Sequence, residues 1–153
     1  MQNKNRGAAM VEFAIVAPFF FMLMCCIIYG AMVMHDINSL NEIARNTARY
    51  GAVIESGTTD DISSKESNMQ AFARAKATDS LFIYGLKSGD DGVKVNADKD
   101  VEVGSRENTT QVKSVYVELN AQMKDGLPTF LFLDYFPESM KTISSTITMR
   151  RED

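Results

Sequence analysis

The sequence predicts an α+β protein in which one long N-terminal helix carries a small head built from a further helix and an antiparallel sheet. Three observations predict it. Phe13 to Met34 is a run of 22 residues without a charge. Beyond it, Ile37, Leu40, Ile43, Ala44, Thr47, Ala48 and Gly51 recur at spacings of three and four, the period of one helix face. From Val93 onward the apolar residues change to a period of two, the mark of half-buried strands.

The uncharged run decides the rest. As a helix rising about 1.5 Å per residue it spans roughly 33 Å, enough for a hydrocarbon core of about 30 Å. With 153 residues, the chain has room for one domain plus an appendage and too little material to enclose a helix that is apolar all round. The run is therefore read as a membrane span. Lys4 and Arg6 precede it, and the first Lys or Arg after it is Arg45, so the positive-inside rule leaves the N-terminus in the cytoplasm and the rest exported. A secretory signal peptide has a shorter apolar region that ends, rather than begins, at small residues; here Gly7, Ala8 and Ala9 come first.

Within the span, Pro18 removes a helical N–H and frees the carbonyl of Ala14, marking a bend or a tolerated membrane proline. Cys25 and Cys26 are neighbours that face different sides of a helix, and the chain has no third cysteine, so the exported part has no disulfide. His35, the single histidine, falls at the outer membrane edge and reads as solvated rather than as a metal ligand. The stripe from Ile37 to Gly51 leaves Glu42, Arg45 and Arg49 on polar faces and is expected to bury the second half of the helix against its own head.

One residue conflicts with the apolar edge. Glu12 lies against the start of the run, although an acidic side chain at a bilayer centre costs roughly 2.5 kcal/mol or more. A short basic leader ending at Gly7, followed by Ala8-Ala9-Met10-Val11-Glu12-Phe13, resembles the processing signal of type IV prepilins. More narrowly, "RGAAMVEFAIVAPFFFMLM" followed by "NEIARNTARYGAV" resembles the TadE-like proteins, pseudopilins of the tight-adherence (Flp-type) pilus system. The resemblance covers residues 6–54, with a weaker echo in "ISSTITMRRED" near the C-terminus.

That resemblance implies a leader, residues 1–7, removed by a prepilin peptidase between Gly7 and Ala8, and a long helix over 8–54 with the span at about 13–34. It also implies an exported domain over 55–153 and docking to other pilins through Glu12 and Phe13 in a bacterial inner membrane. Major Flp pilins have Glu-Tyr and little chain beyond the helix; Glu-Phe and a large exported domain point to a minor pilin. Cleavage would free the amine of Ala8 four residues before Glu12, and in a packed array of parallel helices a neighbour's ammonium reaches that carboxylate. Opposite buried charges then offset each other's desolvation. The competing reading has Glu12 snorkelling to the headgroups. The rival function is an uncleaved single-span protein whose exported head binds a ligand or partner.

The head is read as follows. ESGTTDDISS, residues 55–64, is turn and cap material, and Ser63 with Glu66 has capping-box spacing, so a helix should start there. Met69, Phe72, Ala73, Ala77, Leu81 and Tyr84 form its stripe, and Gly85 should end it. SGDDG, residues 88–92, marks a turn before short strands at Val93, Val95, Val101 and Val103. Strict alternation through Val115, Val117, Leu119, Ala121 and Met123 is repeated at Ile143, Ser145, Ile147 and Met149, and these two strands should pair. The segment GLPTFLFLDYFPESM between them is more apolar than most connections; it either caps its own core, the preferred reading, or meets a partner.

No catalytic arrangement is visible. There is no GxSxG, P-loop or HExxH, and the histidine and cysteines lie at or in the membrane, so neither an enzyme nor a cofactor is expected. A net charge of −4 gives no basic patch for nucleic acid. Asp98, Asp100 and Glu102 alternate like calcium ligands, but Val103 stands where an EF-hand loop needs glycine, so a solvated acidic edge is expected. Asn108-Thr109-Thr110 is a glycosylation sequon without consequence in a bacterial protein.

Overall fold

The computed structural model describes residues 3–53, 59–105, 108–125 and 137–150. Helix α1, Asn3–Val53, is 51 residues long and passes through Pro18 without a break in its helical assignment. It is followed by α2 (Thr59–Ser80), β1 (Tyr84–Leu86), β2 (Val93–Ser105), β3 (Asn108–Met123), α3 (Glu138–Lys141) and β4 (Thr142–Arg150). The architecture is the expected α+β: a long helix, one further long helix and a four-stranded antiparallel sheet.

Strand β3 organises the sheet. β2 pairs with its residues from Asn108 to Leu119, β1 with Ala121–Met123, and β4 with Ser114–Gln122. The β4 ladder overlaps both others, and a strand has only two edges, so β1 and β2 lie end to end along one edge of β3 and β4 along the other. The loop between β1 and β2 is an excursion from one interrupted strand: Lys87 N–H donates to the Asn120 carbonyl, and Asn120 N–H donates to the Gly92 carbonyl. Gly89 turns this loop with φ of 73°, and a Cβ on Gly92 would collide with the Lys87 carbonyl. The foreseen pairing of the two alternating strands is present, with Val117 opposite Ile147 and Ala121 opposite Ile143.

Both long helices cover one face of the sheet, α1 against β3 and β4, α2 against β2 and β1. The core sits between these layers. Leu40, Ile43, Ala44 and Ala48 of α1, Met69, Ala73 and Ala77 of α2, and Val115, Val117, Leu119 and Ala121 of β3 are all buried. Burial of each large member contributes about 2 kcal/mol. The stripe read from the sequence is thus the face that α1 gives to its own head, while Glu42, Arg45 and Arg49 stay exposed. At Gly51 the layers touch: a Cβ there would run into the Met69 side chain and come within 3.0 Å of Val115 Cγ1.

The boundaries of α2 differ from those expected. It begins at Thr59, ahead of Ser63, and ends at Ser80, ahead of Gly85, which belongs to β1. Glu66 does not cap the helix; its Oε1 accepts the Ala97 N–H at 3.0 Å, where the β2 register shifts between Asn96 and Lys99. The far end is set by Asp36 of α1, which is completely buried. Its carboxylate accepts the N–H of Phe82 at 3.0 Å and those of Ile83 and Tyr84 at 2.7 and 2.9 Å. Those amides would otherwise extend the helix. Lys124 Nζ, 2.6 Å from the Leu81 carbonyl, satisfies one of the acceptors left over.

The expected cap formed by residues 126–136, and the side chain of Asn108 in the sequon, fall outside the described residues. Replacing Asp36→Asn leaves one acceptor oxygen for three amide donors, two of them buried. The expected loss is about 3 kcal/mol of head stability, measured by near-ultraviolet circular dichroism during thermal unfolding of the full chain in detergent micelles.

Candidate assembly surface on the N-terminal helix

An apolar helix stands free of packing only if its surroundings are themselves apolar. From Met10 to Met34 nearly every large side chain of α1 is exposed, Phe13 and Phe19 each at 72%. An 18-residue window with mean hydropathy of 2.5 has none of its residues buried in the fold. The helix is long and apolar enough to cross a membrane, and the head does not cover it. No side chain within residues 13–34 offers a charge to repel lipid or another apolar helix.

The residues singled out at its start are placed on this one helix. Gly7, Ala8, Glu12 and Phe13 are all exposed, and a Cβ at Gly7 would meet no other group within 4 Å. Ala8 and Glu12 are four residues apart and therefore share a face. Among the described residues the fold brings no head group to them, and they form an exposed strip near the start of α1. The bond between Gly7 and Ala8 lies inside the helix, so a protease would have to unwind the first turns. Gly7 to Phe13 are exposed among the described residues, so unwinding there costs mainly local helical bonds.

Where α1 leaves the apolar run, it meets the head. Tyr29 and Val33 are partly buried against the core, and the Tyr29 hydroxyl lies 4.0 Å from Met123 Sδ. A cleft of about 520 Å³ opens beside them, bounded by Cys26, Gly30 and Val33 of α1 and by Met123, Met140 and Ile143 of the head. Tyr84 closes one side and donates its hydroxyl to the Met140 carbonyl at 2.7 Å. Burial, and then the negative charge of Asp36, push the Tyr84 pKa upward, so the ring keeps its proton as a donor. His35 is half exposed, with its ring 5.0 Å from Phe82 and its Nδ1 3.6 Å from Asp36. Cys25 and Cys26 are free thiols.

The acidic edge does not converge. Asp98 pairs with Lys113 at 2.8 Å, and among the described residues no three His, Cys, Asp or Glu side chains are grouped to hold a metal ion. The outward sheet face instead carries a network centred on Glu118. Its carboxylate accepts from Asn120 at 2.9 Å and from the Tyr116 hydroxyl at 2.7 Å, with Lys94 at 3.9 Å. These hydrogen bonds, Asn120 first, hold the Glu118 pKa below its ordinary 4.5 and raise that of Tyr116. Sequence reasoning did not single out this network or Asp36. The only signal of the network was polar residues alternating with the apolar ones on β3.

Comparison with known proteins bears on one part of the chain. Residues 7–49 match the family model of TadE-like proteins. The matched segment lies within the stretch 6–54 that resembles TadE-like proteins. It includes Gly7, Ala8, Glu12, Phe13, the apolar run and most of the stripe that carries the head. It also includes Asp36, but stops short of Gly51, α2 and the whole sheet, and so does not reach the C-terminal "ISSTITMRRED". No curated protein and no solved structure matches the chain.

The depressed Glu118 pKa carries a sign. A carboxylate held lower in the folded than in the unfolded chain contributes stability that is fully present above 4.5 and lost as pH falls through the folded value. The melting temperature of Glu118→Gln should therefore lie below the parent's at neutral pH, and the gap should close as pH falls below 4.5.

Proposed function

We propose that this chain is a non-enzymatic minor pilin of a tight-adherence (Flp-type) pilus, acting in pilus assembly for surface attachment. In this reading it inserts in a bacterial inner membrane with Lys4 and Arg6 in the cytoplasm and the head exported. A prepilin peptidase removes residues 1–7, and the helix from Ala8 onward packs with other pilins and assembly proteins. The observation that supports the reading is an exposed helical run, Phe13 to Met34, that carries no charge, with Glu12 at its start inside a segment that matches the TadE-like family model.

The chemistry follows from two charges. After cleavage the Ala8 ammonium and Glu12 carboxylate lie on one helix face near the cytoplasmic edge of the span. In a bundle of parallel helices offset along their axes, the ammonium of one chain meets the carboxylate of the next. Each charge then offsets the desolvation of the other, which neither does alone in hydrocarbon. Phe13, beside Glu12 and 72% exposed, supplies apolar contact at the same level.

The unbroken helix across Gly7–Ala8 suits the rival reading, an uncleaved single-span protein with a partner-binding head. The two part at the mature N-terminus. Gly7 admits close approach of a protease because it has no side chain, so replacing it with a bulky residue should leave full-length protein in the membrane. Intact mass measurement reads the result, and normal processing of the variant contradicts the prepilin reading.

Charge docking is tested on cleaved protein. Glu12→Gln keeps the shape and removes the charge, easing insertion but leaving a neighbour's ammonium without its partner, a loss of about 3 kcal/mol. Cross-linking between membrane-embedded pilins should fall by roughly a hundredfold. Cross-linking and pilus formation equal to the parent would identify Glu12 as a snorkelling residue.

A further inference from the structure

The cleft at the base of the head lies alongside residues that the apolar run places inside the bilayer. Taking Phe13 to Met34 as the span, as the proposed function does, Met34 marks the outer edge of the hydrocarbon. Tyr29 then lies about 7 Å below that edge and Cys26 about 12 Å below it, at 1.5 Å per residue. Head groups face α1 at these levels: Met123 meets Tyr29, and Met123, Met140 and Ile143 share the cleft with Cys26, Gly30 and Val33. Sliding α1 outward until the head stood clear, by about 12 Å, would carry Glu12 deep into the hydrocarbon and bring Arg6, or after cleavage the Ala8 ammonium, to its edge, a heavy cost for ionisable groups. The charges therefore hold the base of the head down in the outer leaflet.

The side chains at that base suit such a position. Phe82 and Met140 are the two large apolar side chains of the head outside α1 that stand exposed among the described residues, at 60% and 54%. Phe82 packs beside His35, at the level of the hydrocarbon edge, and Met140 lines the cleft below it. The cleft walls are apolar, and its volume of about 520 Å³ is that of sites that enclose small apolar ligands. We infer that the base of the head is a lipid-contact surface, in which Phe82 and Met140 sit among outer-leaflet lipids and the cleft takes a phospholipid acyl chain. The head then rides partly immersed rather than clear of the membrane, and its release from the bilayer requires expelling that chain.

The sequence contains no tryptophan, so single tryptophans report one place each. The full chain carrying Met140→Trp, Phe82→Trp, Phe20→Trp or Tyr50→Trp is reconstituted in phosphatidylglycerol–phosphatidylcholine vesicles with bromine on the acyl chains. All four positions are exposed, so the substitutions leave the fold intact. Emission at Met140 should drop at least twofold, as it does for Phe20 in mid-span, with a smaller drop at Phe82. Tyr50, 16 residues beyond Met34, should be unaffected. Adding Gly30→Leu, which fills the cleft where Gly30 has open space around it, should roughly halve the quenching at Met140. Quenching at Phe20 without quenching at Met140 overturns the inference. Blue-shifted but unquenched emission at Met140 does so as well, by showing that residues 126–136 or another helix occupies the cleft. Quenching unchanged by Gly30→Leu removes the acyl chain from the cleft. Absence of quenching at Phe20 instead overturns the membrane-span reading on which the inference rests.

Discussion

Asp36 holds the protein together at its narrowest point. It is the first formally charged side chain of α1 beyond the apolar run, and it is buried completely. A buried carboxylate is tolerated when several donors meet it, and here three successive amides of the α2–β1 turn do so. One side chain on the long helix thereby stops α2, starts β1 and pins the edge of the sheet to the place where the helix leaves its apolar run. Lys124 closes the same junction from β3's end by taking the Leu81 carbonyl.

Around that pin, α1 changes character along its length. Its first half is exposed and apolar on every side; its second half is apolar along one stripe, and that stripe is covered by α2, β3 and β4. The two patterns lie on one continuous helix, so whatever fixes the position of Glu12 also fixes that of the head. A flexible linker at residue 35 would uncouple the two, and Asp36, with Tyr29 and Val33 packed below it, leaves no such linker. In a pilus assembly step, movement of the N-terminal helix would move the head as one body.

The sheet divides its polarity across its two faces. Val117, Leu119 and Ala121 turn inward, while Tyr116, Glu118 and Asn120, next to them in sequence, turn outward into a hydrogen-bonded network. That network ties the charge of Glu118 into hydrogen bonds that order the open face, and Asp98 is likewise paired with Lys113. Among the described residues, the exposed large apolar side chains of the head outside α1, Phe82 and Met140, lie near the end of the apolar run, and the hydrogen-bonded network lies on the open face.

Much of this was legible from residue order because it depends on periodicity. The charge-free run, the stripe from Ile37 to Gly51 and the two alternating strands each repeat a simple pattern set by backbone geometry, so helix, face and pairing could be read without coordinates. Gly7, Ala8, Glu12 and Phe13 were singled out by resemblance instead of periodicity, and they lie inside the segment that the family model matches. What the order of residues left open was where elements stop and which polar groups meet. Ser63 and Glu66 have the spacing of a cap, yet Glu66 binds an amide 31 positions away in β2. Gly85 has the chemistry of a terminator, yet α2 stops five residues earlier because Asp36, 46 positions from Phe82, takes the amides first. Nor did His35 or Phe82 announce that they would sit together, or Met140 that it would line a cleft with Cys26. Local pattern determines which elements form and which face they bury, because those depend on neighbours three and four, or two, residues away. Helix ends, the buried carboxylate and the cleft were decided only by tertiary structure, because their hydrogen-bond partners and walls come from distant parts of the chain.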